Sequence, residues 1–356
     1  MHNCKNKKYR VAEFSVSDHG FINLSILHKF YDTRVYFRWQ LFLEKNSKEA
    51  IYVTCDKPPN DNFDYSRLRV CSDKFKMFNL IKILKKLNKD YVIILHDPIL
   101  LLLLPFLFFL GYKNFVFDSH EDVEKDILIK NYIPRFLRKF VSFVYMICLK
   151  SCRIFFKLKI ISPSLCVCNK YDAQLVYNLP SQDILIDENQ YINYKNRQKS
   201  FGYFGTLTKT RSIDLLIDVF KNRSEKLYLI GSINDDSIKH MVKNLPPNII
   251  YVNDICLDEA KEYFDLFDVG FCIPKLSLIA HDALPVKIFE YYYMNKLIIS
   301  SKIDVVKNFN IENVFFTELD SKSINTVIDE INNLDSAVFS IDNKNKYRFE
   351  EQLCVD

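Results

Sequence analysis

The chain predicts an α/β protein with two doubly wound, mostly parallel sheets. Short apolar runs of strand length alternate with longer runs of helical spacing, the pattern of repeated β–α–β units. At 356 residues the chain is longer than one ordinary core fills, so two domains are expected. Four of the six glycines fall in a second block of the same alternation, which begins near Lys199.

The elements follow in order. Tyr9–Phe14 reads as a first strand. DTRVYFRWQLFLEKN (Asp32–Asn46) opens on an N-cap aspartate and carries apolar residues at helical spacing. Ala50–Cys55 (AIYVTC) is a strand, and Phe75–Lys89 is an amphipathic helix with lysines on its outer face. Tyr91–Leu95 (YVIIL) and Phe115–Asp118 (FVFD) are strands flanking an apolar run of twelve residues, Ile99–Leu110. A bilayer span needs about 20 such residues, so this run is expected to be a buried helix. Pro105 predicts a late start or a kink, and Gly111 sits where a helix C′ glycine belongs.

The second block repeats the pattern. Strands are expected at Lys199–Leu207, Lys226–Ser232, Asn248–Asn253, Asp268–Pro274 and Lys296–Ser301, each of the first two running into a turn. Helices are expected at Arg211–Asn222, Ser237–Asn244, Leu257–Phe267 and Leu284–Asn295. Gly205, with Thr206 beside it, and Gly231 lie at strand ends, the edge where open α/β sheets bind ligands. A glycine there lets backbone approach a phosphate closely.

Composition narrows the class. Apolar residues make up 49% and charged residues 26%, as in globular proteins, and the net charge of +5 implies no partner by itself. The ten cysteines are scattered through apolar stretches, which suits a reducing compartment better than a disulfide framework. Cys148-x3-Cys152 and Cys166-Val-Cys168 lack a second pair to complete a zinc site. No apolar stretch of signal-peptide length follows the basic MHNCKNKKYR, so a cytoplasmic location is expected. Charge distribution says more than its sum. Ile127–Tyr171 contains no acid and nine cations, Lys130 through Lys170, with Phe136, Phe140, Phe143, Tyr145, Phe155 and Phe156 among them. A helix with a solvated basic face explains this, and so does a surface resting on anionic lipid at the inner face of the membrane. No nucleic-acid recognition motif accompanies it, so none is expected as a partner.

Five ordered segments of the second block carry a resemblance: GYFGTLTKTRSIDLL, LYLIGS, NIIYVND, YFDLFDVGFCIP and ALPVKIFEYYYMNKLIISS. Together they resemble the nucleotide-sugar domain of retaining glycosyltransferases of the GT-B fold, family-4 type. DTRV, LHDPILLLLP and FDSHED look like the acceptor-side segments of that family, so the resemblance covers most of residues 30–305. It implies two Rossmann-like domains facing across a cleft: 1–180 on the acceptor side, 181–335 for the nucleotide sugar, and a tail, 336–356, packing back on the first.

The resemblance also implies roles. Glu290 would hold the nucleotide ribose, since a carboxylate accepts from two adjacent hydroxyls. Asp282 stands where the family often has a second glutamate, one methylene shorter. Arg211, with Lys209, would stabilise the leaving diphosphate, with Lys287 as a second candidate cation. The turn before the Leu284 helix would offer N–H groups to that diphosphate, and His120 would touch the donor sugar. No metal or other cofactor is implied for the chemistry. The implied function is transfer of a sugar, with retention, from a nucleotide sugar to a saccharide hydroxyl, the acceptor lipid-linked, in cell-surface polysaccharide assembly. A degenerate scaffold and a nucleotide-sugar epimerase are the alternatives. Released nucleoside diphosphate, an isomerised sugar, or binding without turnover distinguishes the three.

Overall fold

Two parallel sheets organise the chain. The structure, a computed structural model, describes residues 19–30, 32–56, 66–71, 76–129, 133–180, 187, 189, 191–253, 260–275 and 284–353. The expected first strand, Tyr9–Phe14, lies outside them, as do Lys130 and Asp282. The chain divides into two units, Met1–Asn178 with Phe349–Asp356, and Leu179–Arg348. Residues 336–348, expected in a C-terminal tail, therefore belong to the second unit.

The first unit contains β1 (Gly20–Leu24), β2 (Glu49–Thr54), β3 (Leu68–Val70), β4 (Val92–Leu95), β5 (Phe115–Asp118), β6 (Lys159–Ser162) and β7 (Gln174–Leu175). All pairings are parallel, in the order β3-β2-β1-β4-β5-β6-β7. Strand order reverses at β1, so the crevice between the ends of β1 and β4 is this sheet's switch point. The inner strands are buried along their whole length, which is why they read as unbroken apolar runs.

Helices α1 (Leu41–Asn46), α2 (Lys76–Lys86), α3 (Leu104–Phe109), α4 (Val123–Ile129), α5 (Arg135–Phe155) and α6 (Leu165–Tyr171) complete the unit. A wide helical segment, Thr33–Gln40, precedes α1 and is capped by Asp32, whose Oδ1 accepts from the Arg34 and Val35 N–H groups. The apolar run after β4 starts as a tight 3-10 turn at Pro98–Leu103, and α3 follows with Pro105 in its first turn. Gly111 follows α3 with φ +102°, a conformation that side chains resist. The run is not buried all round, as its composition suggested. Leu100, Leu101, Leu103, Leu104 and Leu107 pack inward, whereas Leu102, Phe108 and Phe109 face out, Phe109 at 87% exposure. Long α5 behaves the same way: Leu149 and Cys152 are buried, while Phe136, Phe140, Phe143, Ile154 and Phe155 are exposed. The Phe108 ring meets that of Phe156, just beyond α5, with centroids 5.6 Å apart. No helix among the described residues is long and apolar enough to cross a membrane.

The second unit contains β8 (Tyr191–Asn193), β9 (Phe201–Phe204), β10 (Leu227–Ile230), β11 (Ile249–Val252), β12 (Val269–Cys272), β13 (Leu297–Ser301), β14 (Val314–Thr317) and β15 (Ser336–Val338). Its main sheet is parallel, ordered β11-β10-β9-β12-β13-β14, with its switch point between β9 and β12. β8 and β15 form a separate antiparallel pair. The helices are α7 (Ile213–Phe220), α8 (Asp236–Val242), α9 (Ala260–Phe264), α10 (Val286–Tyr293), α11 (Asp304–Phe309), α12 (Ser321–Asn332) and α13 (Ile341–Lys346). Helix α10 is pinned to the switch point by Tyr291, whose hydroxyl accepts from Phe204 N at 3.0 Å and donates to Phe271 O at 3.3 Å.

Candidate functional site

Polar chemistry gathers at the carboxyl ends of strands in both units. In the first unit the centre is Asp118, the last residue of β5 and fully buried. A lone carboxylate there would be costly, so it must be neutralised. Arg34 does this in a two-pronged contact, Nε to Oδ2 at 2.7 Å and Nη2 to Oδ1 at 2.5 Å. Trp39, the one tryptophan of the chain, donates its indole N–H to Oδ2 at 2.7 Å. Arg34 also bonds the Val176 carbonyl and the Asn178 side chain. Burial alone would raise Asp118, but the Arg34 charge, with His120 and His96, holds it well below the usual carboxylate range.

Three histidines surround this centre. His96 is buried after β4, its Nδ1 3.0 Å from His120 Nε2 and its Nε2 2.5 Å from Asn23 Oδ1. Burial pushes the His96 imidazole down against the pull of Asp118. His28 follows β1, with Nδ1 3.1 Å from Asp32 and its ring 4.6 Å from that of His120. Burial would lower His28, yet the bonded Asp32 carboxylate makes the net shift upward. Asp97 braces the loop between them: Oδ2 accepts from Ile26 N at 2.6 Å, Leu27 N at 3.2 Å and Ser25 Oγ at 3.2 Å.

Two trios, His28–Asp32–His120 and His96–Asp118–His120, bring potential metal-ligand atoms within 4.8 Å of one another. In the second, Asp118 is already satisfied by Arg34 and Trp39, which leaves an ion little to bind. The first is partly exposed and closed internally by the His28–Asp32 bond.

In the second unit Gly205 and Gly231 end β9 and β10 with φ +128° and +132°. A Cβ on Gly231 would stand 2.3 Å from the Gly205 carbonyl oxygen, and one on Gly205 would meet Lys287 Nζ at 2.2 Å. Lys287, from the first turn of α10, thus lays its ammonium directly on the glycine turn, 5.4 Å from the centre of the Tyr203 ring. Burial depresses its pKa, with Glu290 pulling the other way and Arg211 adding to the depression. Among the described residues no carboxylate lies within ion-pair distance of Lys287 or Arg211. Gly205, Lys287, Arg211 and Glu290 therefore come together, whereas Thr206 and Lys209 are exposed. Lys209 is held through its backbone: its N–H donates to Asp235 at 3.2 Å and its carbonyl accepts from Ser212 N at 3.0 Å. Sequence reasoning used Asp32 only as a cap, and it assigned no part to Arg34, Trp39, Asn23 or His28. The spacing of His28 and Asp32, four residues apart, and the lone tryptophan were the available signals.

The sequence matches no family model and no curated protein. Solved structures do match the fold. A sucrose-phosphate synthase from Thermosynechococcus elongatus aligns with TM-score 0.60 at 12% identity, over 94% of this chain and 96% of that one. An alpha-glucosyltransferase in complex with UDP and a mismatched DNA aligns at 0.58 and 12%, over 95% of each chain. A UDP-forming alpha,alpha-trehalose-phosphate synthase from Burkholderia vietnamiensis aligns at 0.57 and 10%, over 94% and 96%. The chain has the GT-B fold; at such identities the likeness extends to the fold alone.

Arg34→Met should destabilise the protein by about 3–5 kcal/mol at neutral pH, because it leaves a buried carboxylate unpaired. In the wild type the depressed Asp118 pKa adds stability that is full above the ordinary value of 3.8 and is lost as pH falls. In the variant the Asp118 pKa rises, so acidification protonates the carboxyl and the deficit narrows. Denaturant melts of both proteins from neutral to mildly acidic pH read this directly. A deficit that is constant or widens toward acid assigns the cost elsewhere.

Proposed function

We propose that the chain is a glycosyltransferase that takes a sugar from a nucleoside-diphosphate sugar and transfers it, with retention, to a saccharide hydroxyl. The observation that carries this reading is Lys287: a half-buried cation laid on a positive-φ glycine turn, with Arg211 alongside and no carboxylate within ion-pair distance among the described residues. A diphosphate answers that arrangement, because it brings negative charge to the two cations beside an exposed backbone turn. Glu290, one turn along α10, is then placed for ribose hydroxyls. Arg211 stabilises charge that grows as the glycosidic bond to the diphosphate breaks, and Lys209 is the weaker candidate for that part. Asp282 keeps its proposed contact with the donor sugar. In the first unit His120 is the proposed sugar contact, and the Asp118 network holds it in place.

The acceptor is proposed to be lipid-linked and the protein to rest on an anionic cytoplasmic leaflet. Exposed phenylalanines on α3 and α5 support this, beside Arg135, Lys139, Lys150 and Lys157, which form no ion pair among the described residues. The basic stretch is thus an amphipathic surface with its aromatics outward, which a solvated basic face does not require. Cell-surface polysaccharide assembly is the proposed pathway class. A scaffold or an epimerase remains a defined outcome of the assay: binding without turnover, or an isomerised sugar without an acceptor.

Screening nucleoside diphosphates by thermal shift locates the donor; a ligand at 100 times its dissociation constant adds about 2.7 kcal/mol. Glu290→Ala should then weaken nucleotide-sugar binding by about 1.5–3 kcal/mol while leaving the fold intact. Arg211→Ala should lower turnover more than donor affinity. Wild-type binding and turnover in Glu290→Ala would remove it from the site.

Sedimentation with liposomes tests the membrane surface. Each cation near an anionic leaflet contributes about 1 kcal/mol, and an inserted phenylalanine about 1.5–3 kcal/mol. Recovery should fall with salt, and Phe136→Ser with Phe140→Ser should lower it further. Equal recovery on neutral and anionic vesicles, or none on either, contradicts the proposal.

A further inference from the structure

We propose that Asn23 and His96 are positioning residues that hold His120 as its Nε2–H tautomer, leaving Nδ1 as an acceptor for a hydroxyl of the bound sugar. This rests on the assignment of His120 as the sugar contact. What it adds is the direction of every proton behind that contact.

The direction is set by two acceptors that cannot donate. The Val35 carbonyl oxygen lies 3.0 Å from Asn23 Nδ2, and a Glu44 carboxylate oxygen lies 2.8 Å from Gln40 Nε2. Gln40 therefore turns its Oε1 toward Asn23, 3.2 Å from Nδ2. Flipping either amide would set oxygen against oxygen at Val35 or at Glu44. Asn23 is thus fixed with Oδ1 toward His96 Nε2, and that nitrogen must carry the hydrogen.

His96 is fully buried, which opposes a second proton on its ring. Its Nδ1 lies 3.3 Å from Asp118 Oδ2, but that carboxylate is already neutralised by two N–H bonds from Arg34 and one from Trp39, so nothing there calls for a second proton on the buried ring. His96 Nδ1 is therefore a lone pair, and the hydrogen in its 3.0 Å contact belongs to His120 Nε2. Asp118 Oδ2 lies 3.4 Å from that nitrogen, farther than His96 Nδ1, and its lone pairs are taken by Arg34 and Trp39. With that hydrogen on Nε2, the His120 lone pair lies on Nδ1, which has no hydrogen-bond partner among the described residues, on a side chain 15% exposed. A lone pair suits a hydroxyl hydrogen and repels a phosphate oxygen, so the chain of bonds selects for the sugar end of a ligand.

Nitrogen NMR of the full chain with labelled histidine, above the ordinary imidazole range, reads this without any substrate. For both His96 and His120 the Nε2 should show the shift of a protonated nitrogen and Nδ1 that of a bare one. A His96 protonated at Nδ1, alone or with Nε2, overturns the proposal. UDP-glucose and UDP then serve as paired probes. His96→Leu should weaken UDP-glucose roughly tenfold, the worth of one hydrogen bond, and leave UDP unchanged. His96→Asn, which can keep an acceptor near the Nδ1 position, should restore affinity. Equal losses for the two ligands overturn the positioning role. If neither ligand binds the wild type, the donor assignment fails, and the NMR result still decides the tautomer.

Discussion

A carboxylate without water, Asp118 at the end of β5, is the constraint on which the first unit depends. Its charge can stay inside only if an opposite charge and several donors come with it. Arg34 and Trp39 supply them, and both sit on the Thr33–Gln40 segment, so that segment must lie over the sheet's carboxyl edge. Arg34 in turn grips Val176 and Asn178, closing the far end of the unit onto the same point. Phe349 packs edge-on against the Trp39 ring, with centroids 5.4 Å apart, so the returning C-terminal residues share that anchor. The histidines inherit their placement from this compensation, because His96 and His120 both stand against Asp118.

The second unit carries the opposite imbalance. There a half-buried cation, Lys287, lies against a glycine turn, and among the described residues no carboxylate stands within ion-pair distance of it. Burial pushes its pKa down against the pull of Glu290. The proposed diphosphate would add negative charge at this spot. Gly205 and Gly231 make the approach possible, since a methyl group at either would collide with its neighbours. Elsewhere in this unit buried lysines are handled differently. Lys344, with a pKa lowered to about 8 by burial, donates to the Asp187 carbonyl and the Asn295 side chain, and Lys199 donates to the carbonyls of Asn332 and Leu334. Those lysines close the ends of helices and loops, and Lys287 does not.

Much of this was legible in the sequence. Buried parallel strands are near-continuous apolar runs, so YVIIL, FVFD and KLIISS stand out, and the helices between them keep their 3.6-residue spacing. The second unit's main sheet was readable strand by strand through β13. In the first unit β1, GFINL, was passed over because it is only five residues long and includes a buried asparagine. β6, KIIS, lay hidden within the basic aromatic stretch, which reads as one surface although part of it enters the sheet. The greasy run after β4 reads as wholly buried, because composition cannot say which side a neighbouring helix covers. The Asp118 network was illegible for a simpler reason: Arg34 and Trp39 lie 84 and 79 residues from the carboxylate they serve. Glu290 and Lys287, by contrast, share one helical turn and one motif.

Titration of UDP, GDP and ADP against the wild type and a Lys287→Met variant tests the proposed diphosphate site most directly. Methionine fills nearly the same volume without a charge, so the free variant should be at least as stable as the wild type. Whichever nucleotide binds the wild type should bind the variant about 100-fold more weakly, the loss of about 2.8 kcal/mol expected for charged hydrogen bonds. A folded variant that binds that nucleotide as tightly as the wild type contradicts the assignment of Lys287 and Gly205 as the seat of the diphosphate.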